Sequence, residues 1–387
     1  MKKFKLVAIA TMLAGTTLCA SAADVQMYGL VATGVVYQHI RHQDTNTLKL
    51  ANALESSDQS RWGIKGREAL QNGWYAGFQL EGGFQPDSGE MANGSKIFDR
   101  VARIYVGNET IEVSGGHMAG FTIASDPYSV YGRLGANMTR TSMQGFAPAA
   151  FSYQPGYVDN AIAFRTNAKH GLFLQGFYSN GDVKAGVDEE KDFDWSDRRH
   201  VGQLATGWVG EKLRFGGVYS YEMQRNTPNT TKRDATHGIH LIASYNFGGP
   251  AVSGVYYHGK NDWRLGAAYD LGNIIEGAND GVKGQKVLAN SSEGLTTNAF
   301  YMSATYPMGK HNLGAALGFV KAEWEGDKKN LKHDDGSAVL GGVIYRYHFS
   351  KRTNVYSAIS YARGDDLLGE AARFNQCFAT VGLVQRF

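Results

Sequence analysis

Charged and apolar residues alternate along much of this chain with a period of two, and that alternation constrains its fold more than any other feature. In the stretch 61–67 an extended backbone puts Arg61, Gly63, Lys65 and Arg67 on one face, and Trp62, Ile64 and Gly66 on the other. A helix would scatter the same charges around its circumference. The pattern recurs with Trp74, Ala76, Phe78 and Leu80 against Tyr75, Gly77, Gln79 and Glu81, with Leu213, Phe215, Tyr219 and Tyr221 against Arg214, Ser220 and Glu222, and with Val339, Val343, Tyr345, Tyr347 and Phe349 against Arg346 and His348.

The alternation predicts sixteen strands, at about 25–40, 59–68, 73–84, 97–107, 110–118, 158–167, 171–180, 200–209, 212–223, 237–247, 251–260, 297–306, 311–322, 338–349, 352–363 and 374–387. Their connections alternate in length. Long ones (41–58, 85–96, 119–157, 181–199, 224–236, 261–296, 323–337 and 364–373) take turns with tight ones such as Asn108-Glu109 and Gly210-Glu211. An even number of antiparallel strands with tight turns at one end and loops at the other is the layout of a transmembrane barrel of the bacterial outer membrane. In a closed barrel no backbone group is left unpaired in lipid. All seven prolines fall in connections under this reading, as residues that cannot donate to a ladder should.

Composition closes off other classes. Glycine supplies 49 of 387 residues, but proline is only seven and charged residues 19%, which excludes a collagen repeat and a disordered chain. After residue 23 no run approaches the ~18 consecutive apolar residues of a membrane helix. A soluble β-sandwich or β-helix would carry Lys, Glu, Asp and Thr on its polar face, whereas here that face holds mainly Gly, Ser, Gln and Arg, and no fixed solenoid repeat is present. Lys2, Lys3 and Lys5, the apolar run Leu6–Leu18 and the small residues Ala20-Ser21-Ala22 read as a signal peptide over 1–22, leaving 23–387 as one barrel domain. Losing that peptide would remove three of the 39 basic residues and leave 36 of each sign. Cys377 would then be the sole cysteine, so no internal disulfide is expected.

The chain resembles the trimeric general-diffusion porins of Gram-negative bacteria, in particular the neisserial and β-proteobacterial branch. The opening Ala23-Asp-Val-Gln-Met-Tyr-Gly29, the block Ser60-Arg-Trp-Gly-Ile-Lys-Gly66 with Gly73 and Phe78-Gln-Leu-Glu81, Phe98-Asp-Arg100, Asp159-Asn-Ala-Ile162 and the closing Val381-Gly-Leu-Val-Gln-Arg-Phe387 carry the likeness, in order and across the mature chain. The resemblance implies sixteen strands, a homotrimer, termini at the periplasmic end, and a third long loop, 119–157, folded into the lumen to narrow it. It also implies a water-filled channel for passive diffusion of small hydrophilic solutes and ions, in contact with outer-membrane lipid and lipopolysaccharide. Phe387 would be the signal read by the barrel-assembly machinery.

Parity places Arg61, Lys65, Arg67, Glu81, Arg165, Arg214, Glu222 and Arg346 in the lumen, because a charge facing lipid at mid-depth costs ~2–4 kcal/mol. The expected constriction comprises Arg61, Lys65, Arg67, Glu81, Arg100 and Arg165 on the wall, with Asp126, Arg133 and Arg140 on the loop. Arg61, Arg100 and Arg165 would form a basic cluster facing Asp126 and Glu81, giving a weak preference for anions; the alternative is that Glu81, Glu112 and Asp159 neutralise them. Arg100 and Arg103 have opposite parity; the resemblance puts Arg100 in the lumen and leaves Arg103 at a rim or a subunit contact. His117 stands where relatives often carry Arg, which leaves one wall cation open.

Tyr28, Tyr37, Tyr178, Tyr245, Phe247, Tyr256 and Tyr306 read as interfacial girdle. The acidic run Asp188 to Asp197 reads as a solvated loop face. No cofactor, metal site or nucleic-acid partner is expected: the histidines are scattered and no glycine-rich turn links a strand to a helix. A substrate-specific channel, with Phe121, Tyr128, Tyr131, Phe146, Phe151, Tyr153 and Tyr157 as an aromatic slide, is the alternative function. A barrel enzyme or an adhesin stands further off. An eighteen-strand barrel is the alternative fold, since 263–272 is as strand-like as accepted segments.

Overall fold

The computed structural model describes residues 24–41, 45–52, 59–94, 96–123, 126–136, 152–167, 169–181, 198–223, 231–263, 291–328, 331–369 and 374–387. The signal segment, Arg140, the acidic run 188–197 and residues 264–272 lie outside these. The strands are β1 (Asp24–Ile40), β2 (Thr45–Asn52), β3 (Arg61–Ala69), β4 (Tyr75–Gly83), β5 (Val101–Gly107) and β6 (Ile111–Ala119). Next come β7 (Tyr157–Thr166), β8 (Gly171–Ser179), β9 (His200–Val209), β10 (Leu213–Met223), β11 (Thr236–Asn246) and β12 (Ala251–Asp262). The last five are β13 (Leu295–Met308), β14 (His311–Trp324), β15 (Asp335–His348), β16 (Thr353–Asp366) and β17 (Asn375–Arg386).

From β3 onward each strand pairs antiparallel with the next. β17 then pairs with β1 from Leu30↔Arg386 to Ile40↔Gln376, which closes the ring. The other edge of β1 is shared: its first half pairs with β3 (Asp24↔Arg67 to Leu30↔Arg61), its second half with β2 (Thr33↔Asn52 to Ile40↔Thr45). β2 and β3 are thus two pieces of one interrupted stave, and the barrel closes at sixteen staves rather than eighteen. This corrects the first connection: the whole of 41–58 is expected from the sequence to be loop, yet Thr45–Asn52 is strand, with Leu48 and Leu50 exposed on the outer face.

The break in that stave is stitched by one side chain. Ala32 donates its N–H to Ser60 Oγ (3.0 Å) and accepts the Ser60 hydroxyl at its carbonyl (3.0 Å), so both backbone groups that lost a ladder partner are satisfied. The Ser60 N–H donates to Asn52 Oδ1 at 2.9 Å, and Asn52 Nδ2 donates to the carbonyl of Phe84 at 3.1 Å.

The period of two appears as alternating exposure. On β14, Leu313, Leu317 and Phe319 are exposed, whereas Ala316, Val320 and Ala322 are buried. Tyr37, Tyr178, Tyr245, Phe247, Tyr256 and Tyr306 lie exposed, as girdle residues should. Tyr28 does not belong with them: its hydroxyl points inward to Glu81 (2.9 Å). Pro307 also departs from expectation, lying within β13 opposite Asn312, one residue from the strand's end. The inner wall is uneven. From β13 to β17 it is largely apolar, with Tyr301, Val320, Leu340, Ile344, Tyr356 and Phe378 buried, while β3 to β8 carry most of the inward cations.

Candidate pore constriction

The third long loop leaves β6 at Ala119 and rejoins the barrel at Tyr157. Its described parts are seated against the inner wall. Phe121 and Val130, together with Tyr131, Leu134 and Ala136, are fully buried. A one-turn helix, α1 (Val130–Arg133), is capped by Ser129, whose Oγ accepts the Gly132 N–H at 3.1 Å. Gly135 follows at φ +71, where a side chain would be strained and its Cβ would come within 2.9 Å of Ser244 Oγ.

Wall strands hold the loop by its backbone. Gln203 Oε1 accepts the Phe121 N–H (2.7 Å), Gln175 Nε2 donates to the Tyr128 carbonyl (2.9 Å), Arg165 donates to the Pro127 carbonyl, and the Ser244 hydroxyl donates to the Leu134 carbonyl. Side-chain ties run to the far wall: Tyr131 meets His240 Nδ1 at 2.8 Å, and Tyr153 donates to Glu222, which also pairs with Arg199 at 2.6 Å. Phe121, Tyr128, Tyr131 and Tyr153 are buried and pack rather than form a slide, while Tyr157, where the loop rejoins the barrel, is half-buried beside Arg100 and His117.

The wall cations join into one chain of contacts. Glu81 pairs with Arg100 at 2.6 Å and with Arg61 at 3.8 Å. Its other neighbour Tyr28 accepts from Gln79 Nε2 at 2.8 Å, and Gln79 Oε1 in turn accepts from Arg103 Nε at 3.4 Å. Arg103 then pairs with Glu112 at 3.3 Å, and Arg165 reaches the same carboxylate at 3.3 Å. Four guanidinium groups thus share two carboxylates. Below them, Lys65 lies 5.1 Å over the Tyr28 ring and Arg67 stacks 3.6 Å above Tyr75.

Arg103 is the main correction. It is 8% exposed and faces the lumen, not a rim or a subunit contact. The parity conflict with Arg100 has a simple cause: β5 begins at Val101, so Arg100 precedes the strand and the alternation does not reach it. Exposed Ile104 and Val106 against Arg103 and Tyr105 was the signal that placed Arg103 inside. Arg61 and Arg100 adjoin each other through Glu81, whereas Arg165 connects to them by way of Glu112, Arg103, Gln79 and Tyr28. Asp159 pairs with Lys96 (2.6 Å) and with His117. His117 is further tied to the Asp99 carbonyl (3.0 Å) and stacks on Tyr157.

On the loop, Arg133 donates to the Thr166 carbonyl and to Gln175 Oε1, each at 2.9 Å, and lies over Phe173. Burial, with the nearby Arg165 charge, pushes its pKa down to about 10. Asp126 accepts the Tyr128 N–H at 2.9 Å; burial pushes its carboxyl above the usual range, against that hydrogen bond and the pull of Arg103. Phe387 closes the seam, exchanging backbone hydrogen bonds with Gly29 at 3.1 and 3.2 Å.

Residues 8–367 match the sequence model of the Gram-negative porins. An outer membrane porin protein of Bordetella pertussis is 27% identical over 406 aligned positions, covering 99% of this chain and 100% of that protein. Among solved structures, the anion-selective porin of Comamonas acidovorans superposes with a TM-score of 0.64 at 20% identity, covering 94% of this chain and 100% of its own. OmpT of Vibrio cholerae, in a structure described as its trimer form, gives 0.59 at 15% identity, covering 95% of this chain and 100% of its own. Closed sixteen-stave ring, inserted third loop and family match together place the chain in the Gram-negative porin family, the outer-membrane barrels through which small solutes diffuse.

Proposed function

We propose that this porin is a general diffusion channel with a weak preference for anions, working as a homotrimer and without catalytic chemistry. The carrying observation is the charge count along the lumen network: Arg61, Arg100, Arg103 and Arg165 against Glu81 and Glu112. Arg133 adds a further cation from the loop. A wall with excess fixed positive charge raises the local anion concentration and lowers that of cations. Weakness of the preference follows from the pairing, since most of the field is spent between partners. Relatives described as anion-selective and as trimeric agree with this reading. The outer apolar band would face lipid and lipopolysaccharide on part of its circumference and subunit neighbours on the rest.

The test is single-channel recording of refolded protein in a planar bilayer with a salt gradient. Stepwise threefold conductance and a reversal potential of anionic sign are the expected results. A cation-preferring channel would overturn the role given to the arginine network, and conductance from isolated single units would overturn the trimer.

A further inference from the structure

Beneath the inserted loop, on the side of the tight turns, lies a cavity of about 470 Å³ that shares Arg165 with the lumen network. Four cations from four different segments line it: Arg133 of α1, Arg165 of β7, Lys169 of the turn before β8, and Arg214 of β10. Folding brings together cations up to 81 positions apart; Arg214 donates to the Arg133 carbonyl at 3.4 Å and to the Gly210 carbonyl at 3.3 Å. Gln175 and Asp126 also face the cavity.

We propose that this cavity is a binding site for a small doubly charged oxyanion, of the phosphate or short dicarboxylate class, through which such solutes are held as they pass the tight-turn mouth. Rigid positioning favours this over a diffuse basic rim. Arg133 and Arg214 are fixed by backbone carbonyls, so their charges are oriented without being cancelled at those contacts. Arg165 is fixed by the Pro127 carbonyl and Glu112, and its Nε–H meets no acceptor among the described residues. Guanidinium forks match the paired oxygens of carboxylate and phosphate. Asp126 is the one carboxylate among the described lining residues, against four cations, and burial pushes its pKa up, in the direction that lessens its opposition to an anion. Lys169 is exposed and lines the same cavity, where its ammonium can add a charge-assisted hydrogen bond to a solute that the three arginines orient.

This site rests on the anion-preferring reading but is tested separately from it. Chloride conductance of the wild-type channel is recorded while inorganic phosphate is added at millimolar concentrations near neutral pH. Saturable partial block is expected. Lys169→Gln and Arg133→Gln should each raise the half-blocking concentration about tenfold, the scale of one charge-assisted hydrogen bond, whereas Lys310→Gln, on a different turn, should not. As a measurement needing no variant, phosphate should raise the thermal unfolding midpoint of the detergent-solubilised wild type above that produced by chloride at equal ionic strength. An open, anion-preferring channel that phosphate neither blocks nor stabilises overturns the site and leaves the porin reading intact. Equal shifts in all three variants would also overturn it, since they would mean diffuse surface charge.

Discussion

Glu81 and Arg100 show how the sign of a pore's selectivity is set by single side chains. Both are nearly buried and lie 2.6 Å apart, so each largely cancels the other's field at the axis. Glu81→Gln should therefore raise the anion-to-cation permeability ratio roughly twofold, the scale of one unit charge acting across several ångströms of water. Arg100→Gln should lower it by a similar factor, and reversal potentials measure both; equal shifts in one direction would contradict the pairing. Arg133 adds a pH dependence. Its pKa is depressed to about 10, so the charge is present below that pH and lost as pH rises through it. Between about pH 9 and about pH 11 the anion preference of the wild type should fall more than that of Arg133→Gln, and the difference between the two titrations isolates this one group.

At the scale of elements, the interrupted stave depends on Ser60. One hydroxyl satisfies both the N–H and the carbonyl of Ala32 at a point where the ladder is absent. Ser60→Ala orphans two buried backbone groups and should lower the unfolding free energy in denaturant by about 2 kcal/mol. Ser60→Thr, which keeps the hydroxyl, should recover most of that loss. The sequence reading missed β2 because Thr45, Asn46 and Thr47 are polar in a row, which leaves only Leu48 and Leu50 to alternate in a short segment, and a loop is the default between a long strand and the next clear alternation. Leu48 and Leu50 were the available signal, since two exposed leucines in register make little sense in a loop but fit a lipid-facing or subunit-facing stave.

For the whole molecule, closure is made by the two chain ends. Phe387 exchanges backbone hydrogen bonds with Gly29, and β17 pairs with β1 along eleven residue pairs. Deleting Phe387 should slow assembly in cells, read as accumulation of unfolded chain in the periplasm, while protein refolded in detergent still reaches the barrel; normal assembly rates would refute a role for the terminal residue. Alternation determined that this chain forms membrane-crossing strands and, on most of them, which side chains face the lumen, because a period of two is a local property and lipid penalises the wrong face; it failed at Arg100, Arg103 and Tyr28. The order of tight and long connections likewise determined antiparallel neighbours and the two unlike ends. What only the tertiary structure decided is where the inserted loop sits and which lumen charges meet. Arg103 and Arg165 meet at Glu112 because β5, β6 and β7 are neighbours and Glu112 stands opposite Arg165 in the register, whereas Arg214 meets the Arg133 carbonyl because the inserted loop seats α1 against β10. Those contacts depend on packing between residues far apart in the chain, a relation that no local pattern carries.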